Sequence, residues 1–165
     1  MTLAELNACD HARFVDAIGG VFEHSPWVAV RAWERRPFAS VDELHAAMML
    51  EATRASRDEQ LALLRGHPDL GTRAKMSDSS TAEQAGVRFD RMSPAEFERL
   101  QQLNAAYWQK FGFPFLFAVK GSTAHQILAA LEERWPATPE AELAEALRQV
   151  SRIAQFRLEV AISVG

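Results

Sequence analysis

Helix start signals recur along this 165-residue sequence and constrain its fold more than any other feature. Ser40 with Glu43 and Ser93 with Glu96 have the spacing of a capping box, in which each side chain bonds the other residue's backbone N–H. Pro94 takes the first helical position after Ser93, where its missing N–H is tolerated. No alternating strand pair and no hairpin dipeptide lies between such signals. The sequence therefore predicts an all-α fold.

We expect about eight helices in a bundle that forms a single domain over residues 1–165. Their predicted starts are Asp10, Pro26, Ser40, Asp58, Ser80, Ser93, Ser122 or Thr123, and Thr138-Pro139. Residues 113–119 form an apolar run with an early proline. Because a single strand without a partner is not stable, we interpret this run as a buried extended segment.

Charge and composition exclude several classes of protein. The net charge is −4 and no basic stripe is visible, so we expect no nucleic-acid partner. No apolar run reaches the roughly 18 to 20 residues of a membrane span. Cys9 is the only cysteine, which rules out an intrachain disulfide and a cysteine-based zinc site. Without a signal segment or a recognised C-terminal address, a cytoplasmic protein is expected.

His67 and Glu83 are candidates for acid–base chemistry. Pro68 disfavours helical backbone at His67, so this imidazole lies near a helix C-terminus, where the macrodipole favours protonation. Such a histidine suits general acid–base catalysis, and a polar helix cap is the alternative. Glu83 lies in the first turn of its predicted helix, although Ser80 with Glu83 is also an ordinary capping box. Gln84 either contacts a ligand or is an exposed helical residue.

Arg157 interrupts the apolar stripe of the last predicted helix. The stripe consists of Val150, Ile153, Ala154, Leu158, Ala161 and Ile162. An unpaired buried guanidinium is costly, so Arg157 should meet an anion or remain hydrated. The anion is a carboxylate of the protein or of a ligand. The alternative is a side chain that extends along the edge of the stripe to water.

Three segments, taken together, point to one family. They are residues 66–71 (GHPDLG), 80–84 (STAEQ) and 103–115 with Leu103, Asn104, Tyr107 and the run KFGFPF. In order and spacing they resemble the 2-oxo-4-hydroxy-4-carboxy-5-ureidoimidazoline (OHCU) decarboxylase family, the third enzyme of urate breakdown to allantoin. Trp33, Pro37-Phe38 and Arg157-Leu158 also match. The resemblance covers nearly the whole chain and implies an all-helical, homodimeric enzyme without metal or cofactor.

The resemblance also implies a role for each site residue. His67 and Glu83 are expected to be catalytic. The expected substrate contacts are Pro68, Ser80, Gln84, Arg157 and the backbone of Phe115, Leu116, Phe117, Ala118 and Val119. The side chains of residues 117–121 differ from the stretch usual in the family, so contacts there are expected from the backbone. The implied reaction converts a small ureidoimidazoline into (S)-allantoin.

Two other functions stay open at this point. A non-catalytic helical interaction module would pair Arg157 with a protein carboxylate and have no cleft between His67 and Glu83. A metal-dependent amidohydrolase acting on a ureide would use His67, Asp69 and Glu83, and would contain bound metal. Neither alternative explains why the three segments occur together.

Overall fold

The computed structural model describes residues 1–67, 91–118 and 123–163. Eight α-helices lie in these ranges: α1 (Leu3–Ala8), α2 (His11–Ile18), α3 (Trp27–Ala32), α4 (Val41–Arg54), α5 (Arg57–Arg65), α6 (Pro94–Phe111), α7 (Ala124–Arg134) and α8 (Pro139–Ala161). Short 3-10 turns follow α2 and α3, at Gly19–Val21 and Trp33–Arg35. The described ranges contain no strand beyond an isolated bridge between Thr2 and Ser163. The all-α prediction is confirmed.

Side-chain caps fix where most of these helices begin. Ser93 and Glu96 form the predicted capping box at the start of α6. Asp10 and Ser40 accept a bond from the backbone N–H three residues further on, and Thr123 does so at the start of α7. Each such cap stabilises its helix by about 0.5–2 kcal/mol. At Asp10, Ser40, Ser93 and Thr123 the predicted start signals therefore correspond to hydrogen bonds in the folded chain. Glu43 accepts from the Ala39 N–H and not from the Ser40 N–H of the predicted box, and α3 begins after Pro26 without a side-chain cap.

Two helix starts differ from the prediction. α5 begins after Ser56 and not after Asp58, because the Ser56 hydroxyl accepts from the third helical N–H and completes a capping box. Asp58 lies inside the first turn. The sequence pattern did not predict α1, which begins at a capping box of Thr2 and Glu5. The predicted start at Ser80 lies outside the described residues.

The chain divides into two compact units. The N-terminal unit comprises residues 1–67 and 150–165, and the central unit comprises residues 68–149. Fully buried side chains of the N-terminal unit include Leu6, Phe14, Phe22, Leu44, Met48, Leu63, Val150 and Leu158. Those of the central unit include Leu100, Tyr107, Ile127, Leu131 and Ala146. The single domain over residues 1–165 stays a prediction.

The segment after α6 is buried and non-helical, as predicted. Gly112 ends α6 with a φ of 79°, a left-handed conformation that glycine adopts without strain. Residues 113–118 follow without regular structure, and only Phe117 among them is partly exposed. Val119 lies outside the described residues. Among the described helices, none combines the length and apolar character that a membrane span requires.

Candidate functional site

His67 lies directly after the C-terminus of α5. Gly66 caps this helix, and its N–H donates to the Ala62 carbonyl at 3.0 Å. The His67 N–H donates to the Leu64 carbonyl at 3.3 Å, which extends the turn by one residue. His67 is buried, with 4% relative exposure. The predicted position at a helix end is confirmed, and the catalytic role stays a prediction.

Gly66 allows this turn to approach the chain between α2 and α3. A Cβ atom at position 66 would lie 2.7 Å from the Glu23 carbonyl oxygen and 3.3 Å from the His24 Cβ. A backbone carbonyl cannot swing aside as a long side chain does, so a larger residue would displace the turn. The close approach therefore requires glycine next to His67.

Arg157 contacts the same stretch of chain. Its Nη1 donates to the Val21 carbonyl at 3.0 Å, and its Nη2 donates to the Glu23 carboxylate. The Arg157 and Glu23 side chains are 27% and 30% exposed. The prediction that Arg157 meets an anion is confirmed, and the anion is a protein carboxylate. This pairing is also what the interaction-module alternative predicts.

Residues 21–24, here called the bridging segment, join two of the predicted site positions. Val21 and Glu23 hold the Arg157 guanidinium, and the Glu23 carbonyl packs against Gly66, the neighbour of His67. Glu23 was not identified as a site residue from the sequence. Glu23 follows Gly19-Gly20, and these two glycines indicated only that a helix ends there. The available signal was the predicted need of Arg157 for a carboxylate partner.

In the central unit, two side chains form hydrogen bonds with the backbone of residues 115–118, which the family resemblance predicts to line the substrate pocket. Arg134 Nη1 donates to the Leu116 carbonyl at 2.7 Å. The Ala118 N–H donates to Gln149 Oε1 at 2.9 Å. Leu116 and Ala118 are buried, whereas Phe117 between them is partly exposed. Two polar groups of this backbone are therefore bonded within the protein.

The remaining predicted site residues lie outside the described part of the chain. They are Pro68, Ser80, Glu83, Gln84 and Val119, together with Asp69 of the amidohydrolase alternative. Within the described ranges, no three His, Cys, Asp or Glu side chains are grouped so as to hold a metal ion.

Comparison with known proteins decides the family. The family model described as OHCU decarboxylase matches residues 7–159. The chain belongs to the OHCU decarboxylase family. A 2-oxo-4-hydroxy-4-carboxy-5-ureidoimidazoline decarboxylase of Haloferax volcanii is 49% identical, over 96% of this chain and 94% of its own length. The resemblance inferred from the sequence is thereby confirmed.

This chain is also similar to part of two longer proteins. The uric acid degradation bifunctional protein PucL of Bacillus subtilis is 41% identical over 95% of this chain, which spans 32% of that protein. The crystal structure of (S)-allantoin synthase matches with a TM-score of 0.83 and 35% identity, over 98% of this chain and 54% of its own. The chain thus spans about half of that (S)-allantoin synthase structure.

Proposed function

We propose that this chain decarboxylates OHCU to (S)-allantoin in urate degradation. The observation that carries the proposal is the family match over residues 7–159, with a decarboxylase 49% identical along nearly the whole chain. The names of the two longer relatives, (S)-allantoin synthase and uric acid degradation protein, agree with this product and pathway. The predicted enzyme class, a carboxy-lyase, is confirmed by the family.

The substrate supplies its own electron sink. One ring carbon carries the carboxylate and a hydroxyl, and its neighbour is double-bonded to nitrogen and carries the ureido group. When carbon dioxide leaves, the electron pair forms a bond between the two ring carbons, and the C=N electrons move to nitrogen, which takes a proton. The hydroxyl then loses its proton to become a carbonyl, and the ureido-bearing carbon gains one. Binding, orientation and proton transfer suffice, so we propose that no cofactor takes part.

We assign the proton transfers to His67 with Glu83 as its partner. His67 is buried at a helix end, where a fixed imidazole exchanges protons with a bound substrate and less readily with bulk water. Glu83 would hold the tautomer of this imidazole or share the transfer. Pro68 shapes the pocket, and Ser80, Gln84 and the backbone of 115–119 contact the ring and ureido amides.

Arg157 anchors a neutral polar group of the substrate in this proposal. A tight grip on the departing carboxylate would stabilise the ground state and slow its loss. Glu23 already balances the charge of Arg157, which favours a carbonyl oxygen over a second carboxylate. Among the described residues, the contacts to Val21 and Glu23 use two of the five guanidinium N–H donors.

The test is the enantiomer formed by the purified chain from freshly generated OHCU, supplied by the two preceding enzymes and followed by circular dichroism. We expect (S)-allantoin alone from the wild type. His67→Asn should lower kcat by about 10²–10⁴-fold while the helical spectrum is retained. A racemic product at the uncatalysed rate from the wild type would favour the interaction module. Bound metal together with activity lost to a chelator would favour the amidohydrolase.

We also propose that the protein is a cytoplasmic homodimer. Its ligand is the small-molecule substrate, and it binds neither nucleic acid nor a membrane. The net charge of −4 without a basic stripe supports the absence of nucleic acid. The family resemblance supports the dimer. Sedimentation of the purified chain tests it, and a monomer at micromolar concentration would contradict it.

A further inference from the structure

A buried ion pair lies beside residues 115–118 in the central unit. The Arg134 and Glu142 side chains are only 11% and 2% exposed. Arg134 Nε donates to Glu142 Oε1 at 2.6 Å, and the Tyr107 hydroxyl donates to the same oxygen at 2.5 Å. Apolar side chains of similar volume often stabilise a core as well as a buried ion pair does. Stability alone therefore gives little reason for these charges.

Arg134 connects the ion pair to the backbone of this segment. While Nε bonds Glu142 on α8, Nη1 bonds the Leu116 carbonyl at 2.7 Å. The guanidinium carbon also lies 4.5 Å from the centroid of the Phe115 ring. Because the guanidinium is planar and rigid, its two bonds fix the distance between α8 and the Leu116 carbonyl. Lysine, with a single nitrogen, does not reproduce this geometry.

Gln149 holds the next backbone group along. Its Oε1 accepts from the Ala118 N–H at 2.9 Å, and its Nε2 donates to Glu145 at 3.0 Å. Burial raises the pKa of Glu145, but hydrogen bonds from Gln149 and Arg148 outweigh this effect and leave the pKa below its usual range. Glu145 is thus an acceptor at neutral pH, which turns the Gln149 amide so that its oxygen faces Ala118.

We infer that Arg134, Glu142 and Gln149 are positioning residues for the substrate pocket. They fix the Leu116 carbonyl and the Ala118 N–H on either side of the partly exposed Phe117. The backbone of residue 117 is thereby presented to the substrate in one geometry. This inference rests on the proposed function, in which the backbone of 115–119 lines the pocket.

The experiment separates position from stability with two substitutions of one residue. Gln149→Met removes the acceptor for the Ala118 N–H and introduces no charge, so KM for OHCU should rise about tenfold with a smaller change in kcat. Gln149→Glu keeps an oxygen acceptor but repels Glu145, so thermal stability should fall while KM stays within about twofold of the wild type. A purely structural role predicts that KM follows stability in both variants.

Arg134→Lys provides a second probe, with an expected rise in KM similar to that of Gln149→Met. Matched controls are Arg99→Lys, whose ion pair with Glu132 is exposed, and Gln155→Met, whose amide bonds Asp42 and Glu159. Both controls should leave KM unchanged. Hydrogen exchange at the Ala118 amide should accelerate in Gln149→Met and not in Gln155→Met.

Two results would overturn the inference. One is an unchanged Ala118 exchange rate in Gln149→Met, because the hydrogen bond would then have no role. The other is accelerated exchange with an unaltered KM, because the position of the segment would then not affect the substrate. Failure of the proposed function looks different, since the wild-type chain itself would then form no (S)-allantoin.

Discussion

The contacts of Arg157 limit what this residue offers a substrate. Its charge is balanced by Glu23, and the Val21 carbonyl fixes the plane of the guanidinium. The need for an anion was predictable from sequence, because a guanidinium in an apolar stripe must be compensated. The identity of the anion was not, because Glu23 lies 134 residues away and only tertiary packing brings it to Arg157.

We predict that Glu23→Gln lowers kcat and KM together, each by roughly three- to tenfold. Without the Glu23 charge, Arg157 would bind the substrate carboxylate in place of a neutral carbonyl group and stabilise the ground state that must lose this carboxylate. Steady-state kinetics with fresh OHCU measures both constants. Glu132→Gln is the matched control, since its ion pair with Arg99 is exposed. An increase in KM at constant kcat would show that Glu23 only maintains the fold.

The burial of Tyr107 leads to a prediction about the stability of the protein at alkaline pH. Burial first, and then the bond donated to Glu142, raise the pKa of Tyr107 well above its usual value of about 10. The folded state therefore favours the protonated phenol. Its contribution to stability is complete below about pH 10 and is lost as pH rises above that value.

Because Tyr107 is the only tyrosine, its ionisation can be followed by tyrosinate absorbance without a second tyrosine signal. We expect no tyrosinate near pH 10 while the protein is folded. At higher pH the tyrosinate should appear at the same time as the helical circular dichroism is lost. Unfolded chain in denaturant is the control and should titrate near the usual pKa. Ionisation near pH 10 with the helices intact would contradict the buried hydrogen bond.

At the level of elements, the helices were predictable because their start signals are local. A capping residue and the third residue of its helix are in contact whatever the rest of the chain does. Ser56 and Asp58 are both good caps, and only the completed box with Glu59 distinguishes them. The bonds that hold residues 113–118 were not predictable, since Arg134 and Gln149 lie 18 and 31 residues beyond their backbone partners.

The end of α5 gives a prediction about packing between elements. In Gly66→Ala, the added Cβ would lie 2.7 Å from the Glu23 carbonyl, so we expect a loss of about 1–3 kcal/mol of unfolding free energy and lower kcat. Gly20→Ala is the matched control, because a Cβ there meets no atom within 4 Å. Urea unfolding and kinetics measure both effects. Equal behaviour of the two variants would contradict the close approach.

At the level of the whole molecule, local signals indicated the fold class but not the grouping of the chain. The N-terminal unit combines residues 1–67 with residues 150–165, a long-range association that no capping or periodicity signal encodes. α8 contributes residues 139–149 to the central unit and residues 150–161 to the N-terminal unit. The helix α8 therefore continues without interruption across the boundary between residues 149 and 150.

We therefore predict one cooperative thermal transition for the full chain. Unfolding of α8 on one side of residues 149–150 breaks the helical hydrogen bonds that cross this boundary, so we expect the two units to unfold together. Differential scanning calorimetry should give equal calorimetric and van't Hoff enthalpies. Two resolved transitions would instead show that the units are separate domains.

The bridging segment also has a consequence for evolution within the family. A change at position 23 alone leaves the Arg157 charge without its partner, and a change at position 157 alone does the same to Glu23. Substitutions at these two positions should therefore be inherited as pairs, across a separation of 134 residues. Position 66 should accept no side chain in any homologue that keeps the Glu23 carbonyl in place, because that carbonyl occupies the space a Cβ would need.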